Sequence, residues 1–207
     1  MKKTNNNLAI LTSIFCVCLI LSNILACKIL SFVNGLIVVP SAVVVYWLTY
    51  LMTDVIGEIW GREQANETVK TGFVCQIIAI ILIFIATILP VAPFSDNQAE
   101  FETILGSTAR VTIASMISYF VSQSWDIFVF HKLKDIFPNK KWIRNNVGTM
   151  TSQIIDTFIF IFIAFYGKVP SIVTMAISQY IVKFFLAILD TPIFYLLTKN
   201  NEKEVMA

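Results

Sequence analysis

Residues 8–29 read LAILTSIFCVCLILSNILACKI and carry one charge, Lys28. About 20 mostly apolar residues are what a helix needs to cross the hydrocarbon core of a bilayer. Two other readings of this stretch fail. Lys2 and Lys3 ahead of an apolar run resemble the start of a secretory signal, and Ile24-Leu25-Ala26-Cys27 faintly resembles a lipoprotein cleavage site. The apolar region of a signal is only about 7–15 residues long, and more spanning segments follow this one. The stretch is therefore expected to remain as a first membrane span. Five further segments qualify, at about 34–54, 71–93, 108–131, 147–167 and 171–197; Gly35 and Pro40 interrupt the first of these five.

Composition agrees. Of 207 residues, 57% are hydrophobic and 14% charged, against about 45–50% and about 25% in soluble domains. A water-soluble domain is excluded. So is disorder, because 17 Phe and long Ile/Leu/Val runs would collapse. The net charge of +2 comes with no basic stripe, so no nucleic-acid partner is expected. The fold class expected is all-α: one transmembrane domain over residues 1–207, six transmembrane helices in contact with lipid, and no soluble catalytic domain. Cys16, Cys18, Cys27 and Cys75 show no metal-ligand spacing and read as small apolar filler. No metal and no cofactor are expected.

Lys and Arg in short loops set orientation. Eleven fall on one side: Lys2, Lys3, Arg62, Lys70, Lys132, Lys134, Lys140, Lys141, Arg144, Lys199 and Lys203. Three fall on the other, Lys28, Arg110 and Lys168, while Lys183 lies within the last span. This bias places both termini in the cytoplasm.

Ionisable groups inside a span cost at least about 2.5–3.5 kcal/mol each on insertion scales, so they persist where they pair, line a cavity or bind something. Asp54 and Glu58 close the second span, Asp126 lies in the fourth, Asp156 in the fifth, and Lys183 and Asp190 in the sixth. They are patterned. Residues 122–130 read S-Q-x-x-D-x-F-V-F and residues 152–160 read S-Q-x-x-D-x-F-I-F. Gln123 and Asp126, like Gln153 and Asp156, are three apart and share a helix face. Successive spans run in opposite directions, so the motif is inverted, as in carriers whose site lies at a repeat interface near the midplane. Ser178-Gln179 is a partial third copy one turn before Lys183. The bland alternative is that these polar side chains only join helices. Buried carboxylates need partners, and Lys183 can neutralise only one of them.

Three lesser signals accompany the pair. Asp54 and Glu58 share a face, and Glu58 could pair with Arg62 at i,i+4. Trp142-Ile143-Arg144-Asn145-Asn146 enters the fifth span, with Arg144 as an interfacial anchor and an Asn as a helix cap. Tyr46, Trp47, Tyr119, Trp125 and Tyr180 offer flat surfaces for stacking, and His131 ends a span beside Lys132.

An intramembrane enzyme would need a nucleophile and base, a metal set or two facing acids. One His and no H-E-x-x-H leave only Asp126 with Asp156, outside the Y-D and G-x-G-D contexts of aspartyl intramembrane proteases. No filter motif suggests a channel. No G-x-x-x-x-G-K-[ST] appears, so any ATP use would come from a partner, and the segment between Glu58 and Lys70 is where one would dock.

Over about residues 10–197 an ordered set of motifs resembles the queuosine precursor transporters of the vitamin uptake transporter group. The set is Ser22-Asn23-Ile24-Leu25-Ala26 followed by Lys28, the D-x-x-x-E-x-x-G segment from Asp54 to Gly61, the paired S-Q-x-x-D helices, Trp142 to Asn146, and Leu189-Asp190-Thr191-Pro192. The resemblance implies a bacterial inner-membrane importer of 7-cyano-7-deazaguanine, 7-aminomethyl-7-deazaguanine or queuine, salvaged for tRNA modification. It implies a fold akin to the substrate-binding components of energy-coupling factor importers, working without the ATPase module, with a homodimer left open. On this reading Gln123, Asp126, Gln153, Asp156, Lys183, Trp125, Asn23 and Gln179 bind substrate. Asp54, Glu58, Asp190, Asn145 and Asn146 serve gating or coupling.

Overall fold

Thr4 is in extended backbone, and its Oγ1 accepts from the Asn7 N–H at 3.3 Å, capping helix α1, Asn5–Leu25. The computed structural model describes residues 2–136 and 141–205, apart from some side chains within the helices. The side chains of Gln123, Asp126, Asn145, Asn146 and Asp190 lie outside the described residues. The Ala26 N–H donates to the Ser22 carbonyl, and α1 stops short of the expected Ile29.

Residues 29–40 are not membrane helix. Ile29–Phe32 (β1) and Ile37–Pro40 (β2) pair as a two-stranded hairpin around a tight turn at Val33–Gly35. The expected 34–54 span is thereby corrected to helix α2, Val43–Trp60. The reason is local. Pro40 has no N–H to give a helix and pushes the residue before it toward extended backbone. Ile29, Val38 and Val39 are β-branched and suit strands. The Ser41 N–H donates to the Lys28 carbonyl at 2.8 Å and fastens the base of the hairpin.

Gly61 alone separates α2 from α3, Arg62–Ile88. Its φ of 97° and ψ of 163° fall in a region open essentially to glycine alone. The loop expected around residues 55–70 is therefore helix on both sides of one joint. Helix α4 (Gln98–Ile136), α5 (Lys141–Phe165) and α6 (Ile172–Val205, with Pro192 inside) complete the chain. Four helical stretches are long and apolar enough to cross a membrane: Asn5–Leu25, Val43–Trp60, Arg62–Ile88 and Gln98–Ser122. Met150–Phe165 and Ile172–Leu186 are shorter apolar helices among the described residues.

The chain divides into two units. The first holds Met1–Leu30, Pro40–Ala109 and Ile181–Ala207. Its core joins Leu11, Phe15 and Leu19 of α1 to Leu51, Met52, Val55, Ile56 and Ile59 of α2. Helix α3 adds only a narrow buried stripe, Thr68, Gly72 and Gln76. The rest of its surface, including Val74, Ile77, Ile78, Ile81, Leu82 and Phe84, is exposed, as suits a helix bathed in lipid. Thr12 and Thr68 hydroxyls meet at 3.3 Å. A Cβ at Gly72 would collide with the Phe15 ring and come within 2.9 Å of Leu19 Cδ2. Contact positions rise together along both chains, so α1 and α3 run parallel.

The second unit holds Ser31–Val39 and Arg110–Tyr180. Arg110 Nε donates to the Ile163 carbonyl at 2.7 Å and its Nη2 to the Tyr166 carbonyl at 3.0 Å. Trp125 Nε1 donates to Thr151 Oγ1 at 3.2 Å. Positions here run in opposite senses, so α4 and α5 are antiparallel. The register carries residues 122–126 past residues 150–154.

Candidate functional site

That register has a direct result for the repeated motif. The two S-Q-x-x-D segments, residues 122–126 and 152–156, overlap in part on neighbouring antiparallel helices. Their hydroxyls are committed locally or buried: Ser122 Oγ donates to the Tyr119 carbonyl at 3.0 Å, and Ser152 is buried. Asp156 is buried at 9% exposure and is engaged by a partner, and Thr157 beside it is fully buried. Gln153 is half-buried. Gln179 on α6 is 5% exposed, and its Oε1 has no hydrogen-bond partner among the described residues. Ser178, next to it, reaches the Leu36 carbonyl of the hairpin at 3.5 Å.

An amide oxygen held in this setting is a strong acceptor without a donor. A buried unmet polar group costs about 1–3 kcal/mol, and more in lipid, where water cannot compensate. Gln179 thus holds an unmet amide oxygen inside the second unit. Trp125 is 40% exposed, and its indole N–H is committed to Thr151, with Phe128 at 5.9 Å from its ring. Only its ring face is left for stacking.

The first unit holds the other expected residues. Asn23 is 5% exposed on α1. Lys183 Nζ lies 5.8 Å from the centre of the Tyr46 ring, and Tyr46 meets Tyr50 edge-on at 5.3 Å. Lys183 thus lies over an aromatic face, a cation–π arrangement. Tyr46, Tyr50 and Asp54 recur every fourth residue along one face of α2, and Asp54 is exposed and engaged. Glu58 is exposed, and it forms no ion pair with Arg62 among the described residues. Gly61 breaks the helix between them, which removes the i,i+4 geometry that the pair needs.

Three contributors escape a reading of sequence. Arg110 was counted among the charges of the outer side; it lies inside α4 and bonds the Ile163 carbonyl in the last turn of α5 and the Tyr166 carbonyl just past it. Cys27 is more than filler, since its Sγ lies 2.8 Å from Ser107 Oγ. Gln76 is 1% exposed with both amide atoms unpartnered. Its signal is a single amide within Phe73-Val74-Cys75-Gln76-Ile77-Ile78, outside any repeated motif. Among the described residues no group of three or more His, Cys, Asp or Glu could hold a metal ion.

Apolar helices enclosing carboxamides and a carboxylate define a membrane carrier for a polar small molecule. A family model described as "Putative vitamin uptake transporter" matches residues 40–197, and the chain belongs to that family. It is a membrane transporter, not an enzyme. The chain is 33% identical to a "Probable queuosine precursor transporter" of Bacillus subtilis (strain 168), over 77% of this chain and 73% of the relative. It is 29% identical to a protein of the same description from Haemophilus influenzae, over 68% and 60% of the two chains. It is 25% identical to the "Queuosine precursor transporter" of Escherichia coli (strain K12), over 56% and 51%. No solved structure matches.

Proposed function

We propose that the chain imports a 7-deazaguanine precursor of queuosine across the bacterial inner membrane. It does so as one six-span domain with both termini in the cytoplasm. The cargo is 7-cyano-7-deazaguanine, 7-aminomethyl-7-deazaguanine or queuine, and similarity to the three queuosine precursor transporters supports the class. The observation that carries the chemistry is Gln179, buried with its amide oxygen unmet. A deazaguanine carries N–H donors along one edge, including its exocyclic amino group, and an amide oxygen accepts from such a donor. A site built to pair its buried polar groups with a ligand rejects analogues lacking the matching groups.

Asp156, with Asp126 from the inverted copy, binds the ring donors or an aminomethyl cation; Gln123 and Gln153 read the edge. Asp54, Glu58, Asp190, Asn145 and Asn146 act in gating or coupling. The carrier works without an ATP-hydrolysing partner. The segment between Glu58 and Lys70, where such a partner would dock, is helix apart from Gly61.

The test is uptake in a host unable to make queuosine, with this chain as sole importer. Each compound is supplied in turn and queuosine in tRNA is read as a mobility shift on an acryloyl-boronate gel. Wild type is expected to give the shift. Gln179→Leu is expected to reduce it at least about tenfold, the loss of one charge-free hydrogen bond plus the orphaned ligand group. No shift with any compound, with the protein shown to be in the membrane, would overturn the proposal.

A further inference from the structure

The buried stripe of α3 ends in a carboxamide with nothing to bond. Thr68, Gly72 and Gln76 follow at four-residue intervals and face α1. Thr68 meets Thr12, and Gly72 lies against Phe15 and Leu19. One turn further, Gln76 is 1% exposed, and neither its Nε2 nor its Oε1 has a partner. On α1 the next buried residues beyond Leu19 are Ser22 and Asn23. Ser22 Oγ is committed to the Leu19 carbonyl at 2.8 Å. Asn23 is 5% exposed.

Two buried carboxamides on parallel, packed helices would bond each other if their role were to join those helices. They do not. The close approach at Gly72 sets the α1–α3 separation, so the helices cannot shift to bring them together. Gln76 therefore keeps an amide donor and an amide acceptor side by side in an apolar setting, a combination that persists when something else completes it. The completing group has to satisfy both amide atoms at once, and a neutral polar edge does so without bringing a bare charge into the apolar setting. It must also offer a donor next to an acceptor. A lactam edge, ring N–H beside ring C=O, meets a carboxamide through two parallel hydrogen bonds.

We propose that Gln76 is a specificity-determining residue that pairs with the lactam edge of the carried heterocycle, with Asn23 as its neighbour on α1. This rests on the importer reading above and adds to it the residue that separates a guanine-type edge from an adenine-type edge.

The experiment uses the same queuosine-deficient host with two unlabelled competitors. One is a deazapurine with the lactam edge, the other the same ring with an amino group in place of the carbonyl. In wild type the lactam competitor suppresses uptake and the amino compound does not. Gln76→Met keeps the length and bulk of the side chain and removes the amide. It is expected to lower uptake at least about tenfold and to bring the two competitors to within about twofold of each other. Gln76→Leu is read the same way should Gln76→Met be missing from the membrane. Wild-type uptake and wild-type discrimination in the variant present in the membrane would overturn the inference and leave the importer standing. Lower uptake with discrimination unchanged would also overturn it, since a packing role moves rate alone. No uptake by wild type overturns the importer and this assignment together.

Discussion

Both units bury apolar and polar side chains, but their helix seams are built differently. The first packs Leu, Ile, Val, Met and Phe from α1 and α2 into one apolar cluster. The second buries Thr112, Ser115, Ser118 and Ser122 along α4, with Ser152, Asp156 and Thr157 on α5. Lipid tails are as apolar as Leu, so hydrophobicity alone does not draw two helices together in a bilayer. The first unit relies on shape: large side chains interlock, and Gly72 admits the Phe15 ring. The second relies on small residues, whose hydroxyls bond carbonyls of their own helix, as Ser118 does to Ser115 and Ser122 to Tyr119. A helix face of that kind is polar without being sticky, which leaves Gln179 with its acceptor unmet beside it in the chain's second half.

This contrast can be broken from either side. All four cysteines, Cys16, Cys18, Cys27 and Cys75, belong to the first unit, so thiol labelling reports on that unit alone. Gly72→Leu should have the largest effect. It drives a side chain into Phe15 and Leu19, at about 3 kcal/mol, the upper end for overpacking. Labelling of Cys16 and Cys18 by a membrane-permeant maleimide should rise severalfold. Unchanged labelling would mean that shape does not hold the first unit. Arg110→Gln should come next, at about 2 kcal/mol, because two charge-assisted bonds to the end of α5 are lost. Proteolysis in the turn after Phe165 should accelerate while thiol labelling stays as in wild type; a rise in labelling would show that the units are not independent. Thr12→Val should have the smallest effect, about 0.6 kcal/mol, the average for an interhelical hydroxyl bond in a membrane. A shift in thermal unfolding in detergent larger than that of Gly72→Leu would reverse the ranking of shape over hydrogen bonding in the first unit.

Where the sequence was legible, cost made it so. Apolar runs long enough to span have few alternatives, and a carboxylate or amide within them stands out, hence Asp156, Gln179 and Asn23. The antiparallel register of the S-Q-x-x-D pair followed from counting spans. Residues 29–40 were opaque, because a short β-branched apolar run reads equally as strand or as the start of a span. The Glu58–Arg62 spacing misled for a related reason: periodicity does not reveal that one glycine takes a φ of 97°. Arg110 was misread because loop charge and helix-end anchor look alike in one dimension. Gln76 carries no such signal, because a single neutral amide is neither ionisable nor part of a repeat.

Gly61 leaves α2 and α3 without slack. Helices joined by one residue cannot settle in the bilayer independently during synthesis: the first has no room to take its final place until the second has emerged to turn back beside it. The pair is therefore one topogenic element, inserted as a hairpin whose base is Gly61, bonded through its N–H to the Gly57 carbonyl and through its own carbonyl to the Ala65 N–H. A reporter or epitope spliced at residue 61 would break that element, while the non-helical stretch between α3 and α4, residues 89–97, has spare chain to carry one.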